Sequence, residues 1–239
     1  MLSNLEIIVA NRKLMNVDYL ELEFGKRYAI SGPSGSGKSS LVTKIVDTIT
    51  SNVGEGSSIC SPKNTKVSLI NQQYYFPLNK NLQEIIFYPK NVNQEKITLV
   101  QQLLTKANLT QYKLDQVEDW YGVLSGGQKQ KIRIISAIIQ KPEILILDEV
   151  FNGLDKKSIE LMQTIITEKL PDALVISVDH SVLENNSTGF YTDSLTVDEG
   201  KLMDYHQNLK YQDERLDYAL FEETTNHGKK YYDSYEGEW

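Results

Sequence analysis

The sequence predicts an α/β domain with a mixed central sheet, an antiparallel β subdomain beside it and an inserted helical subdomain. Three observations carry this. The strand-like R-Y-A-I runs into the glycine-rich G-P-S-G-S-G-K-S, Gly32 to Ser39, and then into a segment with helical spacing. The short apolar run E-I-L-I-L-D-E follows a second helical stretch and reads as a central parallel strand, buried on both faces. Near the N-terminus, Y-L-E-L-E-F alternates with period two, as an antiparallel strand with one wet face does. At 239 residues the chain can bury a sizeable core around such a sheet.

Taken in order, L-E-I-I-V-A, Y-L-E-L-E-F and R-Y-A-I read as the first three strands. After Gly37, apolar residues at Leu41, Val42, Ile45, Val46 and Ile49 fall on one face of a helix. Gly54 to Pro62 is a Gly/Ser-rich connection, and K-V-S-L-I is a short strand of buried character. From Pro77 to about Val117 the chain turns helical and more polar, with L-Q-E-I-I-F-Y and E-K-I-T-L-V-Q-Q-L-L-T-K. We read this as an inserted helical subdomain, which reaches about residue 140 once the next helix, Gly126 to Gln140, is counted. Lys141-Pro142 leads from that helix into E-I-L-I-L-D-E. A helix around Ile159–Leu170, the strand A-L-V-I-S-V and a strand pair near Ser194–Met203 complete a domain over residues 1–203. Residues 204–239 carry nine acidic and four basic side chains with six tyrosines, the composition of a loosely attached tail.

Bulk properties narrow the function classes. Net charge is −7, which does not suggest a basic nucleic-acid-binding surface, and no nucleic-acid partner is expected. A single cysteine, Cys60, leaves no internal disulfide or thiolate metal cluster and fits a reducing compartment. The N-terminus lacks a basic region with a cleavage site, and no apolar run approaches the roughly 18 residues that span a bilayer. The expectation is a cytoplasmic chain that meets a membrane only through a partner.

Gly32-Pro33-Ser34-Gly35-Ser36-Gly37-Lys38-Ser39 satisfies G-x-x-x-x-G-K-[S/T] in the strand–loop–helix context that the pattern requires. Its glycines permit a turn whose N–H groups point inward as an anion nest at a helix N-terminus. Lys38 supplies a point charge to the outer phosphates, and the Ser39 hydroxyl suits Mg²⁺. Asp148 and Glu149 end an apolar strand, where ligands sit in open α/β sheets. Asp148 is the candidate Mg²⁺ ligand through a water, and Glu149 the candidate general base for an attacking water. Together the two motifs indicate a P-loop NTPase.

The stretch L-S-G-G-Q, Leu124 to Gln128, lies about twenty residues before I-L-I-L-D-E and opens a helix. With it the chain resembles the ATP-binding cassette (ABC) family over about residues 2–203. Other segments follow in family order. Gln72, in preference to its neighbour Gln73, resembles the Q-loop glutamine; N-G-L-D, Asn152 to Asp155, resembles the D-loop; His180 in V-I-S-V-D-H resembles the switch histidine; and D-S-L-T-V-D-E-G-K-L resembles the strand pair that follows it. His206 and His227 carry no such signal. The closest likeness within the family is to exporter-type cassettes, of the fatty-acyl, peptide or cobalamin half-transporter group.

That resemblance implies ATP with Mg²⁺ as the ligand, bound at Gly32–Ser40, with Gln72 joining Ser39 and Asp148 around the metal. It implies two ABC domains, as homodimer or heterodimer, associating head to tail around two nucleotides. Ser125, Gly126, Gly127 and Gln128 would then read the nucleotide of the other subunit. Lys38, Gln72, Glu149 and His180 are the implied catalytic set, and Asp155 couples the two sites. The implied partner is a transmembrane domain at the cytoplasmic face of a membrane, reached through a groove near Gln72 and the helical subdomain. Three positions depart from the family pattern. Ala10-Asn11-Arg12-Lys13 stands where an adenine-stacking aromatic is usual, with Arg12 as the substitute. Lys131 and Ser136 replace two arginines; lysine loses the bidentate guanidinium contact, and Ser136 is expected to loosen packing beside the Asp148 strand. The alternatives are a soluble, non-transport ABC ATPase acting on a macromolecular complex, and a catalytically idle nucleotide-gated module.

Overall fold

The computed structural model describes the backbone of residues 2–9, 12–51, 58–59, 64–71, 75–178, 188–198 and 201–204. Side chains are described for residues 20–50, 64–71, 75–178, 188–198 and 201–202. The tail read from residue 204 onward therefore lies outside the described residues, apart from Asp204 itself.

The chain opens with β1 (Leu2–Val9) and β2 (Arg12–Leu20), paired antiparallel with an irregular step between Ile7 and Ile8. β3 (Arg27–Ser31) and helix α1 (Lys38–Ser51) flank the glycine-rich loop, and the two-residue β4 (Ser58–Ile59) pairs with β1. The alternating stretch expected as a strand over Tyr19–Phe24 is only partly strand, because β2 ends at Leu20. Gly25 at φ 80° turns the chain there, and Lys26 N–H closes the turn on the Glu23 carbonyl at 3.3 Å. The alternation marks burial without strand pairing: Leu20 and Leu22 still pack on the core while Glu21 and Glu23 face water.

β5 (Val67–Ile70) is followed by β6 (Lys80–Asn81), α2 (Leu82–Phe87), α3 (Ile97–Lys106), β7 (Val117–Glu118), α4 (Trp120–Val123) and α5 (Gly126–Gln140). Then come β8 (Ile144–Asp148), α6 (Lys156–Lys169), β9 (Leu174–Val178), β10 (Asp193–Asp198) and β11 (Lys201–Asp204). The main sheet has the order β11-β10-β3-β9-β8-β5, and β10, β3, β9, β8 and β5 run parallel. Against the expectation of burial, β5 closes one edge of that sheet; Leu69 is 40% exposed and only Ile70 is fully covered.

Strand periodicity sorts the core onto two faces. Ile144 and Ile146 of β8 and Leu174, Ile176 and Val178 of β9 meet Leu41, Val42 and Ile45 of α1. Leu145, Leu147 and Val175 point the other way, onto Ile134, Ile135 and Ile138 of α5 and Met162, Ile165 and Ile166 of α6. A central parallel strand covered on both sides must read as a continuous apolar run, and this is why I-L-I-L was legible.

Between β5 and β8 lie α2 and α3, and also a small antiparallel clip, Lys80 against Glu118 and Asn81 against Val117. Two-residue strands are too short to show an alternation, so the clip left no sequence signal. Asn81 and Glu84 form a reciprocal capping box at the start of α2. Ser136 does not loosen the packing as expected. Its hydroxyl donates to the Ile86 carbonyl at 2.6 Å and ties α5 to the last turn of α2. Lys131 likewise donates to the Ala107 carbonyl at 3.2 Å, at the end of α3.

Candidate functional site

β3 and β8 are separated only by β9 in the parallel sheet, so the loop after Ser31 and the acids after Leu147 emerge at the same C-terminal edge. The loop bends sharply at Gly32, whose φ is 139°; a Cβ there would stand 2.1 Å from the Val197 carbonyl oxygen of β10. Only glycine allows the loop to lie this close to the neighbouring strand.

Lys38 opens α1 and is 5% exposed. Its ammonium turns back over the loop and donates to the carbonyls of Gly32 at 2.9 Å and Pro33 at 2.7 Å. Burial lowers its pKa from the ordinary 10.5, and the carboxylates of Glu149 and Asp148 oppose that shift. The Ser39 hydroxyl donates to Asp148 Oδ1 at 3.1 Å, joining residues 109 positions apart. The Ser36 hydroxyl is buried within the loop without a hydrogen-bond partner. A buried unpartnered hydroxyl, a buried ammonium, and a hydroxyl paired with a carboxylate form a donor set that fits a phosphate group with its divalent cation. Among the described residues no group of three or more His, Cys, Asp or Glu could hold a metal by itself.

Glu149 follows β8 in the left-handed region, φ 54°, a conformation that costs a non-glycine residue on the order of 1 kcal/mol. It is held there by its N–H on the Val178 carbonyl of β9 at 3.1 Å. Its Oε2 accepts from the Asn152 side-chain amide, also at 3.1 Å. In the sequence Asn152 stands out only as the first letter of N-G-L-D; its bond to Glu149 depends on a turn geometry with no pattern of its own. Asp155 caps α6, its two carboxylate oxygens accepting from the Ser158 N–H at 3.0 Å and the Ser158 hydroxyl at 2.7 Å. Those two bonds, the hydroxyl's first, hold its pKa below 3.8.

Ser125 begins α5 with a second capping box: its hydroxyl accepts from the Gln128 N–H, and Gln128 Oε1 accepts from the Ser125 N–H at 2.9 Å. Gly126 has open space around the missing Cβ, while a Cβ at Gly127 would lie 3.1 Å from Leu154 Cδ2. The Ser-Gly-Gly turn thus packs on Gly153–Leu154, the segment between Asn152 and Asp155. Gln72 and His180 lie outside the described residues, as do Ala10, Asn11 and the Arg12 side chain.

A family profile described as "ABC transporter" matches residues 15–152, more than half of the chain and both glycine turns. The chain belongs to the ABC transporter family. An ABC transporter ATP-binding protein of Haemophilus influenzae is 31% identical over 170 residues, covering 70% of this chain and 28% of its own length. The ABC transporter ATP-binding protein YhaQ of Bacillus subtilis is 32% identical over 157 residues, 62% of this chain and 51% of its own. An ATP-dependent lipid A-core flippase of Pectobacterium atrosepticum is 31% identical over 210 residues, 81% of this chain and 35% of its own. The chain therefore spans about half or less of the length of these ABC relatives. The ABC family assignment agrees with the expected P-loop α/β fold and mixed sheet.

Proposed function

We propose that this chain is an ATP-hydrolysing cassette that dimerises head to tail around two Mg²⁺-bound ATP molecules and drives transport through a membrane partner. The observation that carries the reading is the convergence of Lys38, Ser39, Asp148 and Glu149 at one edge of the sheet. Gly32–Ser40 would cradle the phosphates, with Lys38 released from the Gly32 and Pro33 carbonyls to meet them. Ser39 and Asp148, joined by Gln72, would hold Mg²⁺, which on binding neutralises charge on the phosphate oxygens. Glu149 would orient water and take its proton, and His180 would face the transferred phosphate. Ser125, Gly126, Gly127 and Gln128 would serve the nucleotide of the second cassette, and Asp155 would link the two sites.

Transport is supported by the relatives' descriptions and by an open groove between the β5 edge and α5. Leu69, Tyr75, Ile85, Tyr88 and Arg133 line it, with Tyr75 71% exposed and packed edge-on against Tyr88 at 5.9 Å. Among the described residues no helix is long and apolar enough to cross a membrane. We assign the groove to a cytoplasmic segment of a transmembrane domain, on a partner or on the same polypeptide, and place the cassette at the cytoplasmic face. Exporter-type architecture is our reading within the family.

The deciding experiment is Glu149→Gln, followed by nucleotide binding and phosphate release. Nucleotide binding is expected to persist while turnover falls by at least about a hundredfold, the scale of a lost general base. Ordinary turnover in this variant would refute the assignment of Glu149.

A further inference from the structure

Gln128 has one amide oxygen, and two donors meet on it. The Ser125 N–H lies 2.9 Å from Oε1, and so does the hydroxyl of Tyr112, which belongs to the loop after α3. A backbone N–H can only donate, so the atom facing Ser125 is the oxygen, which settles which way round the amide sits. With both lone pairs of Oε1 engaged, the side chain's remaining binding groups are the two N–H bonds of Nε2. The Tyr112 ring stands edge-on to Trp120, with centroids 5.8 Å apart and planes at 86°. Trp120 is fully buried, and its indole N–H donates to the Lys80 carbonyl at 2.8 Å, in the β6–β7 clip. The hydroxyl is therefore held through Trp120 and the β6–β7 clip and not from α5.

We propose that Tyr112 is a positioning residue: its hydroxyl locks the Gln128 amide so that the Ser125–Gln128 turn presents donors to an oxygen-rich anion, the nucleotide bound by a second copy of this chain. This rests on the reading that the turn serves a nucleotide across a dimer. The capping box alone uses one lone pair of Oε1 and leaves the amide free to swing about that single bond. The tyrosine adds a second anchor from a different element, which lowers the entropy that the turn must lose on meeting its ligand.

The test is a double-mutant cycle on the full chain, with Mg²⁺ and a non-hydrolysable ATP analogue, reading self-association by sedimentation velocity. Tyr112→Phe is expected to weaken analogue-driven association about three- to tenfold, the scale of one neutral hydrogen bond, with analogue binding to the monomer unchanged. In a Gln128→Ala background the same substitution is expected to have no further effect. Unchanged association in Tyr112→Phe, or an equal loss in both backgrounds, overturns the proposal; the second outcome includes a merely structural weakening. Ser125→Arg, run in parallel, separates the two layers. If it associates like the wild type, or if the wild type stays monomeric, the cross-dimer reading fails and the tyrosine's role falls with it. If it is monomeric while Tyr112→Phe is normal, only the tyrosine's role falls.

Discussion

Lys38 shows what one residue contributes to this site. It is nearly buried, its pKa is lowered by that burial, and its charge rests on two carbonyls of its own loop. Carbonyl dipoles compensate a buried ammonium less well than phosphate oxygens do, so in our proposal the lysine exchanges these partners for the phosphate of an entering nucleotide. Lys38→Ala should weaken ATP binding about ten- to hundredfold, the scale of a charge-assisted hydrogen bond, as measured by calorimetric titration. Unaltered affinity would remove Lys38 from the binding set. The loop pattern alone made this residue legible, since few other chemistries need lysine after a glycine nest. The Asn152 bond to Glu149 was not legible, because it depends on a left-handed residue at the end of a strand.

At the scale of elements, the two side chains that depart from the family pattern fasten α5 to α2 and α3. Ser136 donates to Ile86 and Lys131 to Ala107, so the serine and lysine that stand in place of the expected arginines each tie α5 to a neighbouring helix. Ser136→Ala should cost about 1–3 kcal/mol in urea unfolding, because it strands a partly buried carbonyl, while nucleotide affinity stays the same. A wild-type midpoint would show that water replaces the serine without loss. α6 offers a pH test through its cap. The folded-state pKa of Asp155 is lowered, so its contribution is present above the ordinary value near 3.8 and is lost as pH falls through the lower folded value. Asp155→Asn keeps an acceptor for the Ser158 N–H and cannot titrate. The stability gap between wild type and this variant should therefore shrink as pH drops from about 5 towards 3, followed as thermal midpoints. A gap independent of pH would show that the carboxylate's charge does not support the helix. Helix spans were legible at this scale, since Gly126–Gln140 was read within its observed bounds; the β6–β7 clip and the edge position of β5 were not.

For the whole molecule, the chain carries two separate glycine turns, the Gly32–Ser39 loop on the main sheet and the Ser125–Gln128 turn at the start of α5, which in our proposal face two different nucleotides. Gly127 sits against Leu154, in the segment that leads from Glu149 to the Asp155 cap, so the turn and the acidic edge are physically joined within one chain. In the head-to-tail reading, Ser125→Arg fills the open space beside Gly126 with a bulky cation. Monomeric ATP binding should be unchanged and ATP-driven dimerisation abolished, as judged by light scattering. An intact dimer in this variant would place the turn elsewhere than the interface.

By itself the sequence determined the sheet's central strands, the helices on either face and the two glycine turns. Each of these depends on local pattern: apolar runs, helical spacing, and glycine where the backbone must turn tightly. The joining of remote residues that share no motif was decided only by the tertiary structure, in Tyr112 with Gln128 and in Ser136 with Ile86. Each pair is joined by one hydrogen bond, across 16 and 50 positions of chain respectively, and a single bond of that kind leaves no periodicity in the sequence to read.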